Sequence, residues 1–139
     1  MDANAITSYF TLATILKVGL NMEQDDTKLD DIAATISAIM KTPYAALFDP
    51  TSPLKAEFEK NGDKLGAILK DIMKYKQAEL ARNPDDVSDV LSTLLQMTSE
   101  TDALSDLMDI VIGGTDTTAT TLNAAFYLLG THPEVSNKH

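Results

Sequence analysis

The sequence predicts an all-α fold of about five helices, and three observations carry that prediction. Apolar residues recur at spacings of three and four along most of the chain, alternation of period two is absent, and helix-breaking residues stand far apart. With 139 residues the chain is long enough for one domain-sized body with a core.

A first helix is expected over about 4–20. Ile6, Phe10, Ala13, Leu16 and Leu20 form its apolar stripe, and Gly19 and Asn21 lie near its end. After a polar, acidic turn over 21–26, a second helix fits 29–40, where Leu29, Ile32, Ala33, Ile36, Ile39 and Met40 repeat at helical spacing. Pro43 should stop it, because proline disfavours helical geometry in the residue before it. The joint over 42–52 reads as an irregular loop whose Tyr44, Leu47 and Phe48 are expected to pack beneath it. A ligand-carrying role for Tyr44 and Phe48 has only composition behind it.

Ser52 before Pro53 is a helix-start signal, since serine can cap free N–H groups and proline suits the first helical position. A long helix is expected from there to Arg82, ended by Asn83 and Pro84, with Leu54, Phe58, Leu65, Ile68, Leu69, Ile72 and Tyr75 on its apolar side. A short helix over about 86–97, capped by Asp86, should bury Val87, Val90, Leu91, Leu94 and Leu95. Ser99 with Asp102 approximates a capping box for a second long helix over about 100–130.

Charge and composition exclude several functions. Eleven Lys and Arg against 21 Asp and Glu give a net charge of −10, so nucleic acid and anionic membranes would repel the chain. Without cysteine the chain forms no disulfide, thiolate metal site or cysteine nucleophile, and supplies no thiolate to a haem. No stretch approaches the roughly 18 apolar residues of a membrane span. Residues 5–20 carry Thr7, Thr11, Thr14 and Lys17 after Asp2, unlike a signal peptide. A cytoplasmic location is the resulting expectation.

One stretch of the last helix violates helix economy: Gly113-Gly114-Thr115-Asp116-Thr117-Thr118, then Thr120 and Thr121. Two interior glycines cost about 2 kcal/mol relative to alanine, and each threonine adds a few tenths. Bare backbone at the glycines lets another surface approach closely. Thr117 can turn its hydroxyl onto the Gly113 carbonyl and loosen the helical ladder. Asp116 and Thr117 then set a carboxylate and an alcohol about 100° apart on one turn, suited to passing protons to a bound guest. The plainer reading is a tight helix crossing with threonines on a half-exposed face.

This stretch resembles the small-Gly-x-Asp/Glu-Thr-Thr/Ser motif on the long central helix of the cytochrome P-450 haem monooxygenases. Its flanks match too: Asp109-Ile110-Val111-Ile112 before it, Ala119 to Gly130 after it, and then His132-Pro133-Glu134-Val135. The upstream helices fit the family's order, with 53–82 resembling the helix across the substrate cavity's roof.

The resemblance implies insertion of one oxygen atom from dioxygen into a small organic substrate, with haem as cofactor and a redox partner supplying electrons. It implies that Gly113 and Gly114 line the groove beside the haem, that Thr117 hydrogen-bonds the bound oxygen species, that Asp116 helps relay protons, and that Ile112 faces substrate. No residue here is assigned as a metal ligand; His132 and His139 are expected to be structural or solvated.

The stretch after the central helix holds no Glu-x-x-Arg pattern, and the chain holds no cysteine loop. Residues 1–139 are therefore expected to be a single partial domain, an internal piece inactive alone for lack of the axial Cys. The alternative is a non-enzymatic helical interaction module. In either case, apolar helix faces left uncovered would favour oligomerisation.

Overall fold

The computed structural model describes residues 3–22 and 24–136, and among them there is helix and no strand. The elements are α1 (Ala3–Thr14), which continues as a π-helical turn (Ile15–Gly19), α2 (Asp26–Met40), α3 (Tyr44–Leu47), α4 (Pro53–Arg82), α5 (Val90–Met97), α6 (Glu100–Thr131) and α7 (Pro133–Ser136). The all-α expectation and both long helices hold.

α6 is the central element, packing against α1, α2, α4 and α5. The core forms where apolar stripes meet: Leu12, Leu16 and Leu20 from α1 and the turn after it, Ile32 and Ile36 from α2, Leu65, Leu69 and Ile72 from α4, and Leu107 and Val111 from α6. Each fully buried side chain of this size contributes about 1.5–3 kcal/mol. Asn21 closes the first helical segment in the left-handed region at φ 48°, a conformation asparagine tolerates better than most residues.

Local capping explains several boundaries. The Asp25 carboxylate accepts from the Lys28 N–H at 2.9 Å, so α2 begins at Asp26, three residues before its first apolar residue. Ser99 Oγ accepts from the Asp102 N–H, as the capping-box spacing predicts. Ser52 stands at the N-cap of α4, but its side chain makes no capping hydrogen bond. Its start rests on Pro53, whose ring fixes a helical φ. α5 begins at Val90, later than the sequence suggests, because Asp89 rather than Asp86 caps it through the Ser92 N–H at 2.8 Å. Val87 and Val90 consequently remain exposed.

Further packing expectations are corrected, and Met40, Leu54 and Tyr75, expected on apolar faces, are exposed. In α1, Ile6 and Phe10 are exposed while Thr7 and Thr11 are buried. The threonines can be buried because their hydroxyls return to carbonyls of their own helix, Thr7 Oγ1 to Ala3 O at 3.1 Å and Thr11 Oγ1 to Thr7 O at 2.9 Å. In the joint before α4, Tyr44 and Phe48 are 76% and 70% exposed and meet each other edge to face at 5.0 Å. They do not pack beneath the loop, because α3 is a single turn that buries no residue.

Candidate functional site

The buried stripe of α6 fixes the orientation of the glycine-threonine stretch. Ala103, Leu107, Val111, Thr115 and Ala119 recur every four residues and face the interior. Residues two positions away stand about 200° round the helix, so Gly113 and Thr117 face outward on the side opposite Thr115. Both are exposed, Gly114 and Asp116 are half-buried between the two faces, and Ile112 is half-buried against the core.

α6 passes through both glycines without interruption. The Thr117 hydroxyl donates to the Gly113 carbonyl at 2.5 Å, and the Thr121 hydroxyl donates to the Thr117 carbonyl at 2.9 Å. The expected back-bond therefore exists, and it leaves the helix continuous.

The two glycines differ in what surrounds them. A Cβ on Gly113 would meet nothing within 4 Å, whereas a Cβ on Gly114 would lie 2.7 Å from Ile15 Cδ1. Close approach of another helix accounts for glycine at 114 and does not account for it at 113. The outer face thus presents open space at Gly113, an alcohol one turn on at Thr117, and the half-buried Asp116 between them in sequence.

His132 caps the C-terminal end of α6. Its Nδ1 lies 3.0 Å from both the Leu128 carbonyl and the Thr131 hydroxyl, a structural setting. His139 lies outside the described residues. Among the described residues no group of three or more His, Cys, Asp or Glu could hold a metal ion, and no helix is long and apolar enough to cross a membrane.

A charged cluster not anticipated from the sequence lies where α4 meets the start of α5. Lys76 is only 3% exposed, and its Nζ lies 3.0 Å from both Asp89 Oδ2 and Glu79 Oε2. Burial alone would lower the Lys76 pKa, but the hydrogen bonds to Glu79 and Asp89 outweigh it and raise it above the ordinary lysine value. Burial alone would raise the Asp89 pKa. The Ser92 N–H, Lys76 and the Ser92 hydroxyl together bring it below the ordinary aspartate value. The sequence held a signal for this pair: Lys76 lies four residues after Ile72 in the buried stripe of α4, and Asp89 stands just before an apolar run.

An all-α body packed around one long central helix, with a glycine and a threonine on that helix's exposed face, defines the class of protein as a helical domain. The sequence profile described as Cytochrome P450 matches residues 1–139, and the chain belongs to that family. It is 35% identical over 115 residues to "Cytochrome P450 monooxygenase himC" of Aspergillus japonicus, covering 79% of this chain and 20% of that protein. It is 33% identical over 84 residues to "Cyclooctat-9-en-7-ol 5-monooxygenase" of Streptomyces melanosporofaciens, covering 55% of this chain and 18% of that protein. The chain thus spans about a fifth of the length of the curated relatives it matches. No solved structure matches it.

Proposed function

We propose that the chain is the oxygen-handling helical segment of a haem-dependent monooxygenase that inserts one oxygen atom into a small organic substrate. The observation that carries this reading is the Thr117 hydroxyl, bonded back to the Gly113 carbonyl at 2.5 Å on an exposed helix face where Gly113 leaves open space. In the whole enzyme the haem supplies dioxygen activation, and the outer face of α6 fits beside it because no side chain at Gly113 stands in the way.

In this reading the chain's own groups do five things. Bare backbone at Gly113 allows close approach, and Gly114 keeps the helix seated against its neighbour. Thr117 exchanges its back-bond for a hydrogen bond to the guest, a cheap exchange because an intramolecular hydrogen bond has a net worth of only about 0.5–1.5 kcal/mol. Asp116 passes protons from solvent toward that hydroxyl. Ile112, one residue before the glycines, contributes an apolar contact to substrate. Electrons come from a redox partner.

The test is Thr117→Ala in the enzyme that carries this segment. Oxygen consumption should continue while product falls, with the folded fraction unchanged. Parallel loss of folded protein and activity would make Thr117 structural and overturn the assignment. The isolated chain, having no cysteine, should give no thiolate-type carbon monoxide band when mixed with haem and reductant. Appearance of that band would refute its inactivity.

A second reading, a helical interaction module, draws on the exposed apolar residues Phe126, Tyr127, Leu128 and Leu129 at the end of α6. Oligomerisation of the isolated chain fits both readings, whereas a sharp monomeric melt would favour the module.

A further inference from the structure

α1 and the π-helical turn that continues it present three residues to α6 at a spacing of four: Thr7, Thr11 and Ile15. Thr7 Oγ1 lies 3.0 Å from Asn123 Oδ1, Thr11 Oγ1 lies 3.2 Å from the Thr115 carbonyl oxygen, and Ile15 Cδ1 lies 2.7 Å from where a Gly114 Cβ would stand. As residue numbers rise along α1 they fall along α6, so the two helices run antiparallel. Each threonine hydroxyl also has carbonyls of its own helix within reach, so a single proton is shared among several acceptors. The Ile15 contact is apolar and is made by the end of its side chain, Cδ1 at 2.7 Å and Cγ1 at 3.5 Å from that Cβ position.

Ile15 also occupies a particular place in its helix. It is the first residue of the π-helical turn, and a π turn inserts extra backbone and shifts the phase of the side chains after it. Leu16, the next residue, is fully in the core. The junction thus directs one side chain inward and sets the other on the bare backbone of Gly114. Gly113, the adjacent glycine, has open space where its side chain would be.

We infer that Ile15 is a positioning residue for the groove: seated on Gly114, it sets how far α6 stands from α1 and so holds the Gly113–Thr117 turn in place from behind. This rests on the proposed role of that turn. Ile15 touches neither guest nor reacting atoms, and acts only through Gly114.

The test is a double-substitution cycle in the full chain, read by amide hydrogen exchange along α6. Gly114→Ala alone should speed exchange at Thr117, Thr118 and Ala119 by about tenfold, as a local opening. In an Ile15→Val background, which lacks Cδ1, the same substitution should leave those amides as slow as in the parent or slower, because alanine is also the better helix former. Amides of α2 and α4 should not change in any variant. Equal effects of Gly114→Ala in both backgrounds would overturn the inference, and so would acceleration spread evenly over all helices, since that is general destabilisation.

In the enzyme that carries the segment, Ile15→Ala should lower product formed per oxygen consumed without changing the KM for substrate. A rise in KM with unchanged product yield would count against it. The two readings fail separately. Coupling between 15 and 114 in an enzyme where Thr117→Ala has no effect on product yield would leave the packing role and remove the function. Uncoupling by Thr117→Ala without coupling between 15 and 114 would do the reverse.

Discussion

The two long helices are nearly equal, 30 residues in α4 and 32 in α6, yet they bury different chemistry. α4 buries Leu65, Leu69, Ile72 and Met73 and then Lys76, a run of large side chains ending in an ion pair. α6 buries Ala103, then Leu107 and Val111, and narrows again to Thr115 and Ala119. Large side chains hold a neighbouring helix at a distance, while small ones let it come close. The face that α6 gives to α1 is accordingly thin and partly polar at the level of the groove. α4 therefore packs through bulk and charge, and α6 through small side chains that let α1 approach.

The largest effect should come from breaking the charge pair of α4. Lys76→Ala leaves Asp89 buried without its counter-ion and should cost about 3–5 kcal/mol, read as a fall in the urea midpoint with unchanged slope. An effect below about 1 kcal/mol would mean that water reaches Asp89 freely.

The same pair predicts a pH window. Asp89 titrates below its ordinary value of 3.8. Its stabilising contribution is present above that value and is lost as pH falls through the lower folded one. Lys76 titrates above its ordinary 10.5, so its contribution is full below 10.5 and disappears as pH rises through the higher folded value. The urea midpoint should fall at both limits. Asp89→Asn should flatten the acid limb, and an unchanged acid limb would assign it to other carboxylates.

Smaller effects are expected on α6. The Thr115 hydroxyl is buried with no hydrogen-bond partner among the described residues. Thr115→Val keeps the branched shape and removes that group, so a gain of about 1 kcal/mol is expected in the same urea titration. A loss would mean that the hydroxyl is satisfied in solution. The smallest change in stability, under about 0.5 kcal/mol, belongs to Thr117→Ala, because an exposed back-bond is replaced by a better helix former. Together, Lys76→Ala and Thr117→Ala contrast a buried charge pair on α4 with an exposed back-bond on α6.

The elements most legible in the sequence were those written in local chemistry. Pro53 and the Asn83-Pro84 pair bracket α4, and Ser99 with Asp102 opens α6. The Thr117 back-bond to Gly113 was legible too, because both partners sit on one helix four residues apart. The threonine face of α1 was not. Thr7 and Thr11 read as solvent-facing until α6 lies against them, since their burial depends on Asn123 and Thr115, more than a hundred residues away. Lys76 was missed for the same reason: a lysine is tolerated in a core only when a partner such as Asp89 arrives from another element.

By itself, then, the sequence determined the helical class, the two long helices and the back-bond of Thr117 to Gly113, because these depend on periodicity, caps and contacts within one turn. Only the tertiary structure decided which glycine faces open space and which faces Ile15, which side of α1 is buried, and where the buried charge pair closes. Each of those depends on how far apart two helices stand, a distance set by side chains that the chain brings together only when folded.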